Sequence, residues 1–423
     1  MSEDEGPVIA VFDYPDVFED FYTHYGVDQK SFGTTWAETG AHRFATSLDR
    51  RVGNVVWYAF SLEPEVPFYQ HEATGMRIRF LRSSFLHRKL WRWFYASPRS
   101  WQRMKWRRAY ETLAPYIALM SLDLIKALWR DRPDAFFIQD YANGRFDVLI
   151  LISRLMRIPA LAFHSGSLPE NFSGVIVRRW SLRHADALLV SSRREATMIE
   201  TRFSVAAERI RVLFTPIDTA SFYPLRREEA LRETGLDPSR RYVIFVGRLE
   251  KVKRVESLLQ AFSCCAQLHA DVDLLIVGEG SRGEELRARG SELPAGRVRF
   301  LGWRSGSAVL APLYSASECL VLPSLREGFP TVVGEALACG LPVLATDVGG
   351  IAEVVTHGVN GWLIPGLDDD ALRIHLEKVL SGNLDLASFR IQARKTAEDM
   401  LSLEKIGAAL KDSFRSAGLH VRP

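Results

Sequence analysis

A chain of 423 residues is long enough for two or three domains, and 47% apolar with 25% charged residues is a globular composition that excludes a disordered or fibrous class. The net charge of +3 singles out no partner by itself, so only the distribution of charge is informative. The acidic start of the chain lacks the basic stretch of a signal peptide, and the apolar run 148–163 is interrupted by Arg154, Arg157 and Pro159, which argues against a membrane span. Cys264, Cys265, Cys319 and Cys339 lie in apolar surroundings without metal-ligand spacing, so buried free thiols in a reducing compartment are expected. The expected location is cytoplasmic, with a peripheral position at the inner face of the cell membrane.

Residues 8–12 read as a buried strand, followed by a polar and aromatic loop to about Gly33. Thr39 and Gly40 then lead into a helix to Leu48, and a second strand spans 54–60. This is a βαβ pattern, in which Gly40 either admits a ligand close to the backbone or simply starts the helix. Residues 73–110 contain no acid. Their arginines and lysines alternate with Trp91, Trp93, Trp101 and Trp106. That mixture suits the surface of an anionic membrane. A helix with inward aromatics, or a cap over an acceptor site, has the same composition, and nucleic acid is the disfavoured partner.

Helical sequence runs through 110–130, and strands recur at 135–139, 160–163, 187–190 and 209–213 with helices at 146–157, 175–184 and 194–201 between them. Alternation of this kind predicts a parallel sheet with helices on both faces. His164 directly follows a strand, where open sheets of this class bind ligands, although a lone histidine is more often structural. The proline-containing loop 215–224 and the charged run after it mark a domain boundary, giving domains 1–222 and 223–385, then C-terminal helices over 386–423. Past the boundary the alternation resumes, with strands at 242–246, 273–277, 297–301, 319–322 and 342–345.

In that second half, glycine-bearing loops follow successive strands. Gly247 opens a loop carrying Arg248 and Lys253, which either straddle a diphosphate or form a basic surface loop. Gly278 and Gly280 end the next strand, and Gly349 and Gly350 a later one. Glu327 and Glu335 flank a Gly328-Phe329-Pro330 turn that starts a helix over 331–339, closed by Gly340. Pro330 suits the first turn of that helix. Its free N–H groups favour an anion beside a carboxylate, which fits a ligand bearing both phosphates and hydroxyls; a helix N-terminal acid with a solvent-facing acid has the same spacing.

These motifs occur in one order and spacing, and together resemble the retaining GT-B glycosyltransferases of family 4, most strongly over 205–380. The resemblance implies two Rossmann-like doubly wound domains facing across a cleft, with the last helix crossing back to the N-terminal domain. It implies that Arg248 and Lys253 contact the donor diphosphate and that Glu335 holds ribose hydroxyls. Glu327 would touch hydroxyls of the transferred sugar, near the backbone of Gly328, Phe329, Pro330 and Thr331. His164 would lie beside that sugar, and Gly247, Gly280, Leu301 and Gly40 complete the donor-binding set. The chain departs from the family in having Thr39-Gly40 in place of Gly-Gly, which leaves the contact by Gly40 open, and Pro216-Ile217 before Asp218 in place of Asn-Gly.

The implied reaction moves a sugar from a nucleoside-diphosphate sugar, UDP- or GDP-linked, to a hydroxyl acceptor with retention of configuration. No carboxylate stands out as a covalent nucleophile, so front-face attack assisted by the leaving phosphate is the expectation. Cationic side chains and a helix start can stabilise that phosphate, so no metal or other cofactor is expected. Asp368, Asp369 and Asp370 read as a helix cap. The acceptor is expected to be a lipid-linked or surface glycan, with a soluble metabolite as the alternative, and a hydrolase, epimerase or binding subunit as a third class.

Overall fold

The computed structural model describes residues 6–13, 15–36, 39–96, 105–164, 176–294 and 296–421. Two compact units emerge. The first comprises Met1–Val190, Arg194–Leu213 and Ile406–Pro423, and the second Ser191–Arg193 and Phe214–Lys405.

The first unit is built on eight strands: β1 (Val8–Phe12), β2 (Asn54–Ser61), β3 (Phe68–Gln70), β4 (Arg77–Arg82), β5 (Ala135–Gln139), β6 (Ala160–Phe163), β7 (Ala187–Val190) and β8 (Ile210–Val212). They lie in the order β3-β4-β2-β1-β5-β6-β7-β8, all parallel except the β3–β4 pair. Strands covered on both faces must be apolar at every position, and alternate residues then supply two cores. Phe12, Tyr58, Phe136 and Leu188 enter one core, while Val11, Trp57, Phe137 and Leu189 enter the other. The helices are α1 (Gln29–Thr34), α2 (Gly40–Arg51), α3 (Phe85–Ala96), α4 (Lys105–Leu119), α5 (Leu122–Asp131), α6 (Gly144–Met156), α7 (Ile176–His184) and α8 (Arg193–Phe203). Helices α5 and α6 supply Leu124, Leu128, Phe146 and Ile150 to the first core. Phe32 of α1 and Phe44 and Leu48 of α2 enter the second.

The second unit has six parallel strands in the order β11-β10-β9-β12-β13-β14. These are β9 (Arg241–Val246), β10 (Val272–Val277), β11 (Val298–Gly302), β12 (Cys319–Leu322), β13 (Val343–Thr346) and β14 (Gly361–Ile364). Its helices are α9 (Arg227–Thr234), α10 (Val255–Leu268), α11 (Gly283–Ser291), α12 (Ser307–Ala316), α13 (Thr331–Ala338), α14 (Ile351–Val354), α15 (Asp369–Leu380) and α16 (Leu386–Thr396). Beyond a π turn, α17 (Leu403–Ser416) leaves this unit. Its Ile406, Leu410 and Phe414 fill the second core of the first unit, so the last helix does cross back. A Cβ at Gly407 would lie 2.7 Å from the Arg51 side chain, so this residue lets α17 approach α2 closely.

Several expectations need correction. The stretch before Gly33 is not a loop: two 3-10 turns and α1 form there. Asp28 caps α1 through Ser31 N–H at 2.7 Å, and Phe18, Tyr22 and Phe32 pack ring on ring. The helical run 110–130 breaks at Ser121, whose hydroxyl caps α5. The basic stretch 73–110 begins as strand β4, with Ile78 and Phe80 buried and Arg79 bound to Asp131 at 2.6 Å. Residues 97–104, which include Arg99, Trp101 and Arg103, lie outside the described residues. The crossing into the second unit comes at Phe214 rather than after residue 222, because the Phe214 ring packs at a tilt against Phe329 with centroids 5.0 Å apart and Ile217 N–H bonds Leu401 O at 2.7 Å. Helix α16 also stays with the second unit, where Arg394 donates to the carbonyls of Thr219, Phe222 and Ala338. Cys264 is exposed, whereas Cys265, Cys319 and Cys339 are buried.

Candidate functional site

The glycine loops of the second unit stand at the C-terminal ends of neighbouring strands and bond to one another. Gly247 N–H donates to Val277 O at 3.0 Å, Leu249 N–H to Glu279 O at 2.9 Å, and Gly278 N–H to Gly302 O at 2.8 Å. A Cβ on Gly278, where φ is +136°, would sit 1.9 Å from Gly247 O. One on Gly280 would sit 2.6 Å from Leu249 O. Only glycine allows these two loops to interlock. Ser281 ties them further, its N–H and hydroxyl both donating to Glu250, which holds that carboxyl below its usual range. Leu301 lies half-buried at the end of β11, and Gly280 is exposed.

The loop after β12 meets this pair from the other side. Leu325 N–H donates to Val252 O at 2.7 Å. Lys253 Nζ donates to Glu327 Oε1 at 2.6 Å, with only 14% and 10% of the two side chains exposed. Beneath Glu327, Gly350 N–H donates to Gly328 O at 2.6 Å. A Cβ on Gly349, where φ is +58°, would come within 2.2 Å of Glu327 O. The two consecutive glycines therefore let the β13 loop support the backbone that presents Glu327.

Helix α13 starts in the same place. Pro330 is its N-cap rather than a residue of its first turn, with ψ of 121°, and Thr331 is the first helical residue. Proline offers no side-chain acceptor, so the leading N–H groups carry no side-chain cap, and that end of the helix favours an anion. Gly328, Phe329 and Pro330 are buried, and Thr331 is partly exposed. Glu335 lies one turn in and is buried, accepting from Tyr314 Oη at 3.2 Å. Gly340, at φ +69°, ends the helix as expected. Arg248 is exposed in the first loop. The second unit thus brings Lys253, Glu327 and the start of α13 into one loop cluster, with Arg248 on the Gly247 loop that carries Lys253 and Gly280 on the loop interlocked with it.

The remaining candidates lie in the first unit. Gly40 opens α2, and Thr39 caps that helix through His42 N–H at 3.3 Å. His164 follows β6, is buried, and its Nδ1 lies 2.8 Å from Asp140 Oδ1. Burial disfavours the imidazolium, but the bond to Asp140 and the charges of Asp140 and Glu195 outweigh it and raise the His164 pKa. Asp140 resists burial in the same way and is held below the usual carboxylate range. His164 Nε2 is buried without a hydrogen-bond partner among the described residues. Asp140 itself takes the left-handed conformation at φ +67°, its carboxylate accepting Ala142 N–H at 2.8 Å. The sequence reading missed Asp140; an acid at the end of the strand beside the one that leads to His164 was the available signal.

Among the described residues no group of three or more His, Cys, Asp or Glu could hold a metal ion. Asp368 caps α15 through Ala371 N–H, and Asp369 pairs with Arg254.

Residues 226–396 match the model of the family Glycosyl transferases group 1. The chain is 31% identical over 274 residues to the D-inositol 3-phosphate glycosyltransferase of Rhodococcus opacus (strain B4), covering 62% of this chain and 60% of that protein. It is 34% identical over 225 residues to the enzyme of the same name from Mycolicibacterium gilvum (strain PYR-GCK), 52% of this chain and 50% of that one. The chain therefore matches only half to three-fifths of the length of these curated relatives. In fold it is similar to sucrose-phosphate synthase from Thermosynechococcus elongatus, with TM-score 0.70, 21% identity, and 97% and 98% of the two chains covered. It is also similar to Anabaena Alr3699/HepE in complex with UDP, with TM-score 0.69, 18% identity, and 97% and 100% covered. The architecture is accordingly GT-B, two Rossmann-like units each on a largely parallel sheet.

Proposed function

We propose that this chain, a GT-B protein whose residues 226–396 form a glycosyl transferases group 1 domain, moves a sugar from a nucleoside-diphosphate sugar to an acceptor hydroxyl. The observation that carries this reading is the Lys253–Glu327 pair at 2.6 Å beside the uncapped start of α13. A cation and a helix start suit a diphosphate, and the carboxylate suits sugar hydroxyls. In the resting protein the two side chains neutralise each other. A diphosphate takes Lys253, and Glu327 is released to accept from the sugar.

The bond from the anomeric carbon to the diphosphate oxygen breaks as charge gathers on the leaving phosphate. Lys253, Arg248 and the N–H groups of α13 stabilise that charge, and no metal is needed for it. The acceptor oxygen attacks from the face that the phosphate leaves. Its proton passes to a leaving phosphate oxygen, and configuration is retained. Buried Glu335 takes the ribose hydroxyls. In the first unit, His164 carries a proton fixed by Asp140, chemistry suited to a sugar hydroxyl.

UDP and GDP sugars are the donors of choice, and the structural neighbour Alr3699/HepE, solved with UDP and with UDP-glucose, favours the first. The acceptor we favour is a lipid-linked or surface glycan at the cytoplasmic face of a membrane. Phe85, Leu86 and Trp93 of α3 are half or more exposed, with Lys89 among them, which supports it. A soluble acceptor is the second reading, favoured by relatives named for D-inositol 3-phosphate. Incubation with a panel of labelled nucleotide sugars tests the proposal. Sugar transferred to an added acceptor supports it; free sugar or an epimerised donor as the only product overturns it.

A further inference from the structure

The sheet-facing side of α5 is firmly anchored. Leu124, Ala127 and Leu128 are buried in the first core. At the helix end Asp131 binds Arg79 and Tyr58, each at 2.6 Å. The opposite side is apolar and uncovered. Leu122, Ile125 and Trp129 stand at i, i+3 and i+7, one helical stripe, with 73%, 64% and 77% of their surface exposed. A groove of about 810 Å³ separates this stripe from Val148, Ile152 and Met156 of α6. Leu155, at the end of α6, is 76% exposed. The first turn of α3 adjoins the start of α5, because Ser84 N–H donates to Ala118 O at 3.1 Å and Ser121 Oγ to Arg82 O at 2.6 Å. Exposed Phe85 and Leu86 therefore extend the same edge.

Cations outnumber acids among the exposed charges around this patch, where Asp123 of α5 is part-exposed and Asp134 is exposed. Lys126 and Arg130, one turn apart, flank the stripe, Arg132 lines the groove, and Arg157 follows α6. Two of the nearby acids are neutralised within the fold, Asp131 by Arg79 and Asp147 by Arg178, and Asp134 accepts from Val8 N–H. Apolar patches of this size on a protein surface mark an interaction site. The excess of cations disfavours a second copy of the chain on this face. A surface that is apolar inside and anionic at its boundary fits both properties. No single described helix is long and apolar enough to cross a bilayer.

We propose that the outer face of α5, the end of α6 and the first turn of α3 form a docking surface for an anionic lipid bilayer. It rests on the reading that the acceptor is presented at a membrane. Leu122, Ile125 and Trp129 enter the boundary between head groups and acyl chains. Lys126, Arg130 and Arg132 meet lipid phosphates. The membrane contact expected for residues 73–110 is thereby shared with a helix outside that stretch.

The test is co-sedimentation of the full chain with vesicles of phosphatidylcholine alone, or of equal parts phosphatidylcholine and phosphatidylglycerol. Binding to the anionic vesicles alone, weakened by salt, is the expected result. Trp129→Ser should weaken it about tenfold, the effect of withdrawing one large apolar side chain from a half-apolar setting. Lys126→Gln and Arg130→Gln should each weaken it about fivefold. These side chains are exposed, so thermal unfolding should be unchanged, and hydrolysis of donor by water without vesicles should not move. Binding that survives all three substitutions, or that is equal on neutral vesicles, overturns the surface. So does a dimer seen by light scattering that Trp129→Ser dissociates, with no vesicle binding. A surface that binds as described, in a protein that transfers only to soluble acceptors, upholds the surface and removes the membrane-acceptor reading.

Discussion

Replacing Glu327 by glutamine separates the two roles of the Lys253–Glu327 pair. The substitution is nearly isosteric, but it leaves Lys253 without its counter-charge. Breaking a fully buried pair costs about 3–5 kcal/mol. Here 14% and 10% of the side chains are exposed, so water relieves part of that cost. A loss of about 2 kcal/mol, or roughly 4–8 °C in Tm for a unit of this size, is the expectation. Ligand binding should move the other way. A carboxylate about 6 Å from a bound phosphate, at an effective dielectric near 20, opposes binding by roughly 3 kcal/mol. Halved for screening, this makes nucleoside diphosphate bind about tenfold more tightly to Glu327→Gln. Transfer should fall by about 100-fold or more, because the sugar contact is lost. Lys253→Met should instead weaken diphosphate binding by about tenfold to a hundredfold. Thermal unfolding reads the stability loss, and titration calorimetry with UDP and GDP, alongside product analysis with the matching sugars, reads the other three quantities. Equal weakening of diphosphate binding by both substitutions, or full turnover by Glu327→Gln, would refute the partner exchange.

Gly349→Ala should cost about 2–4 kcal/mol and loosen donor binding, since its Cβ would meet Glu327 O at 2.2 Å, whereas Gly358→Ala, in open space at φ +79°, should cost only about 1 kcal/mol; chemical denaturation of both compares them. Glu335→Gln should weaken binding of nucleoside diphosphate while leaving inorganic pyrophosphate unaffected in the same calorimetric titration, because its expected partner is the ribose. Tyr314→Phe removes the hydroxyl that donates to Glu335 and should lower stability by about 1 kcal/mol in thermal unfolding. The Asp140–His164 pair stabilises the protein between two limits. The contribution of His164, whose pKa is raised in the fold, is full below its unfolded value of about 6.5 and is lost as pH rises through the folded value. The contribution of Asp140, whose pKa is lowered, is full above about 3.9 and is lost as pH falls through the folded value. Asp140→Asn should abolish the alkaline limb and lower the His164 titration midpoint seen by NMR; an unmoved midpoint would contradict the pairing.

The second unit was legible because its strands are short apolar runs punctuated by glycine, and each glycine stands where backbone meets backbone. Gly278 and Gly349 had to be glycine for steric reasons that leave a mark in sequence. The Lys253–Glu327 bond was not legible. The two residues lie on loops after β9 and β12, and sequence spacing carries no information about which loops touch. Strand β4 was concealed by its arginines. Charge dominated the reading of 77–82, although Arg79 is buried against an acid on a different element. The aromatic segment before Gly33 showed no strict period, because ring packing rather than a continuous apolar face organises it. Helix α17 reads as amphipathic in sequence, but the sequence does not show which sheet receives it. The face of α5 was overlooked for a related reason: apolar residues on both sides of a helix read as core, and only the structure shows one side uncovered.

Determining the structure with a nucleoside diphosphate bound tests the central claim most directly. The account predicts the diphosphate on Lys253 and Arg248 at the start of α13, the ribose on Glu335, and the base beside Gly280 and Leu301. It also predicts Lys253 parted from Glu327. A diphosphate bound away from these loops, or Lys253 still paired with Glu327 in the complex, would contradict it.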